Sequence, residues 1–99
     1  MISYAEIRNA YNKLYAEMRR YIWGFSIVVL LADIEIESYK TCPDVATIRN
    51  LLRNLSGAVL SVSNQDPDLK KSIDTFMELV RDEDTAYAKI HKVSEVVPQ

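Results

Sequence analysis

The chain has 99 residues, of which 48% are hydrophobic and 26% are charged, with a formal net charge of -2. These values are typical of one folded domain, residues 1–99, and exclude a disordered tail. The small negative charge offers no overall basic field to nucleic acid or to an anionic membrane, so nucleic-acid binding is disfavoured.

The first predicted helix begins at Tyr4, because Ser3 and Glu6 match a capping box. An apolar seam with spacings of three and four residues then persists for about four heptads. Its members are Tyr4, Ile7, Tyr11, Leu14, Met18, Tyr21, Phe25, Val28 and Ala32. The seam predicts one long helix that extends to about Tyr39, in which Gly24 either serves tight packing or permits a kink.

The middle of this helix, residues 21–32, carries no charge and is apolar on two faces that lie about 160° apart. One face contains Met18, Ile22, Phe25, Val29, Ala32 and Ile36, and the other contains Trp23, Ile27, Leu30 and Ile34. A single helical hairpin covers only one of them. The second face needs another helix of the same chain or another chain to cover it, and we expect it to form the interface of a homodimer.

The chain contains six tyrosines. Tyrosine suits half-buried seams and interfaces, because its ring is apolar while its hydroxyl can remain in water. Tyr11 and Tyr15 are therefore added to the expected interface, although core filling explains them equally well.

The second predicted helix runs from about Pro43 to Val62. Pro43 fits a first helical turn, and Asp44 complements the helix dipole. One apolar stripe follows the helical period and consists of Val45, Ile48, Leu52, Leu55, Val59 and Val62.

The third predicted helix begins at Pro67 with Asp66 as its N-cap and ends near Arg81. Its apolar residues are Leu69, Ile73, Phe76, Met77 and Val80. Thr85 is expected to cap a short fourth helix. The short loops favour an all-α antiparallel bundle with one long N-terminal helix, two medium helices and a short C-terminal helix.

The residues that could carry chemistry are few. His91 lacks the companions of a metal site, and Cys42 lacks the base that a nucleophile needs, so we expect no catalytic residue, metal or cofactor. The single cysteine, the absence of a signal peptide and the short apolar run predict a cytoplasmic protein without a membrane span.

We interpret the chain as a non-enzymatic protein–protein interaction module, such as a small adaptor or inhibitor. It is expected to form a homodimer through its first helix and to bind an unidentified protein partner through Asp82, Glu83 and Asp84. Alternatives are a helical-bundle enzyme with a site between helices, and phosphate or nucleic-acid binding through Arg49 and Arg53.

In size and helix number the chain resembles small bacterial and phage-encoded helical proteins, among them four-helix bacteriocin immunity proteins. Its acidity departs from their basic character. The resemblance implies a small inhibitor-like binding protein and identifies no site residue.

Overall fold

The structure is a computed structural model that describes the backbone of residues 3–96 and the side chains of residues 3–81. The regular structure in residues 3–96 is entirely helical, which confirms the predicted all-α class. The helices are α1 (Tyr4–Met18), α2 (Phe25–Ser38), α3 (Val45–Ala58), α4 (Leu60–Ser63) and α5 (Pro67–Val96). Helix α1 packs against α2 and α5, and α3 packs against the same two helices.

The core is formed by one apolar stripe from each of α1, α3 and α5, together with Val59 at the end of α3 and Ile34 of α2. The buried apolar side chains are Ile7, Tyr11, Leu14, Met18, Ile34, Ile48, Leu52, Leu55, Val59, Leu69, Ile73, Phe76 and Val80. The stripes predicted for residues 4–18, 45–62 and 69–80 therefore supply most of the core. Among the described residues, no helix is both long enough and apolar enough to span a membrane.

The predicted long first helix is wrong, because the chain leaves the helix after Met18 and re-enters it at Phe25. The Trp23 indole N–H donates to the Met18 carbonyl oxygen at 2.7 Å and satisfies one of the acceptors that a helix end exposes. Gly24 is the N-cap residue of α2 and has extended backbone angles. The intervening turn, residues 19–24, preserves the apolar spacing, so the sequence pattern continues where the helix does not.

Gly24 is not required for packing or for an unusual backbone conformation. A Cβ atom at this position would meet no atom within 4 Å. Its φ of −65° is also open to any residue. The expectation that Gly24 serves tight packing is therefore wrong.

Helix α3 begins two residues later than the sequence suggested. Asp44 is the N-cap, and its carboxylate accepts hydrogen bonds from the backbone N–H groups of Ala46 and Thr47. Pro43 consequently lies outside the helix. The carboxylate of an N-cap residue accepts hydrogen bonds from the first turn and so determines where the helix begins. A proline is compatible with the first helical position but makes no such bond.

Helix α5 continues through the acidic segment where a helix end was predicted, so the separate short fourth helix that Thr85 was expected to cap is not present. Asp66 does act as predicted: its carboxylate accepts from the Leu69 N–H at 3.1 Å, and the helix starts at Pro67. Residues 82–84 contain neither glycine nor proline. Negative charge alone does not end a helix.

Candidate protein-interaction surface

The turn that joins α1 to α2 is fixed by contacts with the start of α5. The Tyr21 hydroxyl donates to the Asp66 carboxylate at 2.5 Å, and the Arg20 guanidinium donates to the same oxygen at 3.1 Å. Arg20 also pairs with Glu17 at 2.8 Å. These contacts join segments that are 45 residues apart in the chain, and thereby set the position from which α2 departs.

Asp66 is ionised in this environment. The hydrogen bond from Tyr21, followed by the bond from the Leu69 N–H, lowers the pKa of the Asp66 carboxyl below its ordinary value. Carboxylate oxygens of Glu17 and Asp68 lie within 4.8 Å of it and of each other. Arg20 supplies positive charge to this acidic group.

We define the inner face as Ile27, Leu30 and Ile34 of α2 together with Trp23 of the preceding turn. It packs against the core of the same chain. Ile34 is fully buried, and the other three side chains are half-buried against the core. This face was expected to form the dimer interface. Packing within the chain covers Ile34 fully and the other three side chains in part, so this face leaves less free apolar surface for a second copy than the opposite side of α2 does.

The opposite side of α2 is the exposed one. We define the outer face as Phe25, Val28, Val29, Ala32 and Ile36 of α2 together with Ile22 of the preceding turn. The exposed fractions of its larger side chains are 103% for Ile22, 83% for Phe25, 48% for Val28, 39% for Val29 and 61% for Ile36. The sequence identified both apolar faces of this segment, but the choice between them was reversed.

The charges of α2 are confined to its C-terminal half. Residues 25–32 carry none, whereas Asp33, Glu35 and Glu37 follow. The first turn contains no acidic residue, the last turn contains no basic residue, and the start of the helix has no side-chain cap. This distribution is opposite to the one that stabilises a helix dipole.

The negative charge of Glu37 is stabilised by contacts within the chain. The Asp44 N–H donates to its carboxylate at 2.9 Å, and the Lys40 ammonium donates to the other oxygen at 2.9 Å. The bond from Asp44, followed by the bond from Lys40, lowers the pKa of the Glu37 carboxyl although burial opposes this shift. Glu37 thus connects the end of α2 to the start of α3.

The two tyrosines that were assigned to the interface lie in different environments. Tyr11 is 3% exposed, and its hydroxyl donates to Glu35 at 3.1 Å. Burial, followed by this hydrogen bond to Glu35, raises the pKa of the Tyr11 hydroxyl. Tyr15 is 45% exposed and stacks on Tyr11. Tyr11 is therefore corrected to a core residue, whereas Tyr15 remains accessible.

Other sequence-predicted residues do not converge on one site. Arg49, Arg53 and Arg81 line a groove of about 250 Å³ together with Asp74 and Glu78. The two carboxylates offset most of the positive charge of the arginines and reduce the attraction of the groove for a phosphate. Asp82, Glu83 and Asp84 belong to α5, but their side chains lie outside the described residues.

Cys42 is exposed, and its Sγ lies 3.4 Å from the Tyr4 hydroxyl. The side chain of His91 lies outside the described part of the chain. The cluster of Arg20, Tyr21 and Asp66 was missed by sequence reasoning. Only the assignment of Asp66 as a helix cap pointed toward it.

Comparison of the chain with protein-family models, with curated proteins and with solved structures finds no match.

Proposed function

We propose that this chain is a non-enzymatic protein–protein interaction module that self-associates through the outer face of α2. The observation that carries the proposal is the exposure of Phe25, Val29 and Ile36 on one side of α2, next to the exposed Ile22 of the preceding turn. The homodimer expected from the sequence is kept, and its contact still lies within residues 22–36, which the sequence placed in one long first helix. The contact now uses the face opposite to the expected one.

The outer face costs free energy when it is left in water. Burial of one large apolar side chain contributes about 1.5–3 kcal/mol. Scattered exposed apolar residues need no explanation, but contiguous apolar patches of several hundred Å² are typical of interaction sites. Phe25, Val29 and Ile36 share one side of a helix, so the outer face is contiguous and not scattered.

The size of the face fits a modest interface. A standard protein–protein interface removes about 800 Å² from each partner. The face offers five large side chains to such an interface, and Ile22, Phe25 and Ile36 are the most exposed of them. Ala32 lies in the middle of the face, where its small side chain permits two helices to approach closely.

The proposal also includes the antiparallel packing of successive helices that the short loops favour. It is supported by two contacts: the Tyr39 hydroxyl, just after α2, donates to Asn12 in the middle of α1 at 2.7 Å, and the Tyr4 hydroxyl at the start of α1 lies 3.4 Å from Cys42 Sγ. We place the module in the cytoplasm, where a lone exposed thiol such as Cys42 stays reduced.

A further protein partner at Asp82, Glu83 and Asp84 stays a prediction. Triple charge reversal there is expected to leave stability within about 0.5 kcal/mol, as for most surface changes. The same change should weaken the binding of a basic partner and reduce the salt dependence of that binding.

The test of self-association compares two isoleucines on opposite sides of α2. Ile36→Asp places a charge on the outer face and is expected to give a folded monomer in sedimentation-velocity experiments, whereas the unmodified chain should sediment as a dimer of 11.4 kDa subunits. Ile34→Asp buries the charge in the core and should unfold the chain. Circular dichroism separates these two outcomes.

Leu60→Asp is the matched control, because Leu60 is 50% exposed and lies outside the outer face. This variant should remain dimeric. The proposal fails if the unmodified chain is a monomer at high micromolar concentration. A monomer that co-sediments with lipid vesicles through Phe25 and Ile22 would instead assign the face to a membrane surface.

A further inference from the structure

We infer that two copies of the chain pair their α2 helices in an antiparallel orientation, with Phe25 of one copy against Ile36 of the other. This inference rests on the proposed self-association, and it adds the orientation and register of the contact. Three observations support it: the spacing of the apolar residues, the position of the charges and the open N-terminus of α2.

The spacing defines the register. Within α2, Phe25, Val29, Ala32 and Ile36 are separated by four, three and four residues, which is the pattern of a coiled-coil seam. In an antiparallel pair, a-type positions of one helix oppose d-type positions of the other. Phe25 then lies against the partner's Ile36, and Val29 lies against the partner's Ala32. This register overlaps nearly the whole length of both helices.

The charges favour this orientation over a parallel one. Asp33 and Glu35 are exposed and lie at the edges of the outer face, in the C-terminal half of α2. A parallel pair would bring the acidic halves of the two helices together. An antiparallel pair places each acidic half beside the uncharged N-terminal half of its partner, so like charges are kept apart.

The N-terminus of α2 is complementary in charge to the acidic half of the partner's α2 helix. No side chain caps this helix N-terminus, and its first turn contains no acid. In the antiparallel register Asp33 lies beside Ser26 of the other copy. The carboxylate then approaches the positive end of a helix dipole and a hydroxyl that can donate a hydrogen bond. Each copy thereby supplies the anionic group that the other copy lacks.

The register predicts which engineered cysteines can form a disulfide. In a Cys42→Ser background, we would prepare Phe25→Cys and Ile36→Cys as separate variants and confirm by sedimentation that each is dimeric. The antiparallel register places position 25 opposite position 36 of the partner. Two copies of position 25 are separated by about 16 Å along the helix axis, which is too far for a disulfide.

Oxidation of each variant alone should give little covalent dimer. Oxidation of an equimolar, re-equilibrated mixture should convert about half of the chains, because random exchange makes half of the dimers mixed. Leu60→Cys mixed with either variant is the matched control, and it should give no covalent dimer.

A second cross-link preserves every apolar side chain of the face. A mixture of Ser26→Cys and Asp33→Cys, treated with a short bismaleimide, should give a mixed covalent dimer in yield at least fivefold above that of Ser26→Cys alone. This cross-link tests the register even if the cysteines at positions 25 and 36 weaken association.

The outcomes separate the two proposals. If the unmodified chain is a monomer, both the self-association and the antiparallel register are refuted. A dimer in which Phe25→Cys and Ile36→Cys each cross-link to themselves establishes parallel pairing and overturns the antiparallel register while self-association stands. A dimer without a cross-link in either mixture overturns the register as well.

Discussion

Helices α3 and α2 have equal lengths but opposite designs. Helix α3 buries Ile48, Leu52 and Leu55 on one face and begins at a side-chain cap. In α2 the buried residues are Ile34, Glu37 and Ser38, while Phe25 and Ile36 are exposed. Internal packing therefore accounts for the apolar stripe of α3 and for the inner face of α2, but not for the outer face of α2, and the difference locates the surface that needs a partner.

The largest expected effect comes from the two phenylalanines of the chain, which lie in opposite environments. Phe76 is fully buried in α5, whereas Phe25 is 83% exposed at the start of α2. Phe76→Ala should lower the free energy of unfolding by about 3–5 kcal/mol, because it removes buried apolar area and leaves a cavity. Phe25→Ala should change it by less than about 0.5 kcal/mol in the monomer.

The measurement is urea unfolding at a protein concentration low enough for the monomer to dominate, since association adds its own stabilisation. At high concentration Phe25→Ala should lose the concentration dependence of the unmodified chain. Equal destabilisation by both substitutions at low concentration would mean that the start of α2 is buried, contrary to the comparison drawn above.

The predictability of the fold follows the same division. One-sided patterns located the core residues of α1, α3 and α5, because a single apolar stripe has only one way to be buried. In α2 both faces are apolar, so the pattern could not decide whether Ile34 or Ile36 faces the core. That choice depends on where the turn at residues 19–24 directs the helix.

The turn itself was not predictable from periodicity. Its length keeps the spacing of three and four residues in phase between Met18 and Phe25. The contacts that hold it, from Arg20 and Tyr21 to Asp66, connect residues 45 and 46 positions apart. A residue pattern read along one helix contains no signal for a hydrogen bond of this range.

The contacts of Asp66 with Arg20 and Tyr21 should make the stability of the chain depend on pH. The pKa of Asp66 is lower in the folded chain than in the unfolded chain, where it is about 3.9. The stabilisation is therefore fully present above pH 3.9 and is lost as the pH falls through the lower, folded pKa. The melting temperature should decrease on acidification in this range.

Asp66→Asn retains a side chain that can cap α5 but removes the charge that pairs with Arg20. It should flatten part of the acid dependence, and the remainder should come from Glu37 and Asp44, whose pKa values are also lowered. Tyr21→Phe should raise the pKa of Asp66, measured by carboxyl NMR titration. If the melting temperature of Asp66→Asn depends on acid pH as strongly as that of the unmodified chain, the Asp66 carboxylate does not stabilise the turn.

The smallest expected effect concerns the open N-terminus of α2, where the contrast with the capped start of α3 is sharpest. Gly24→Ser adds a side-chain cap at a position where a Cβ meets no atom within 4 Å. Serine exceeds glycine as an N-cap by only a few tenths of a kcal/mol, so the monomer should gain stability of about that size. Gly24→Ala lacks the hydroxyl and is the matched control, which should show no such gain. Thermal unfolding of both variants at low concentration provides the measurement. A loss of stability in both would mean that the residue at the start of α2 meets a steric constraint, and the free space around Gly24 would then be refuted.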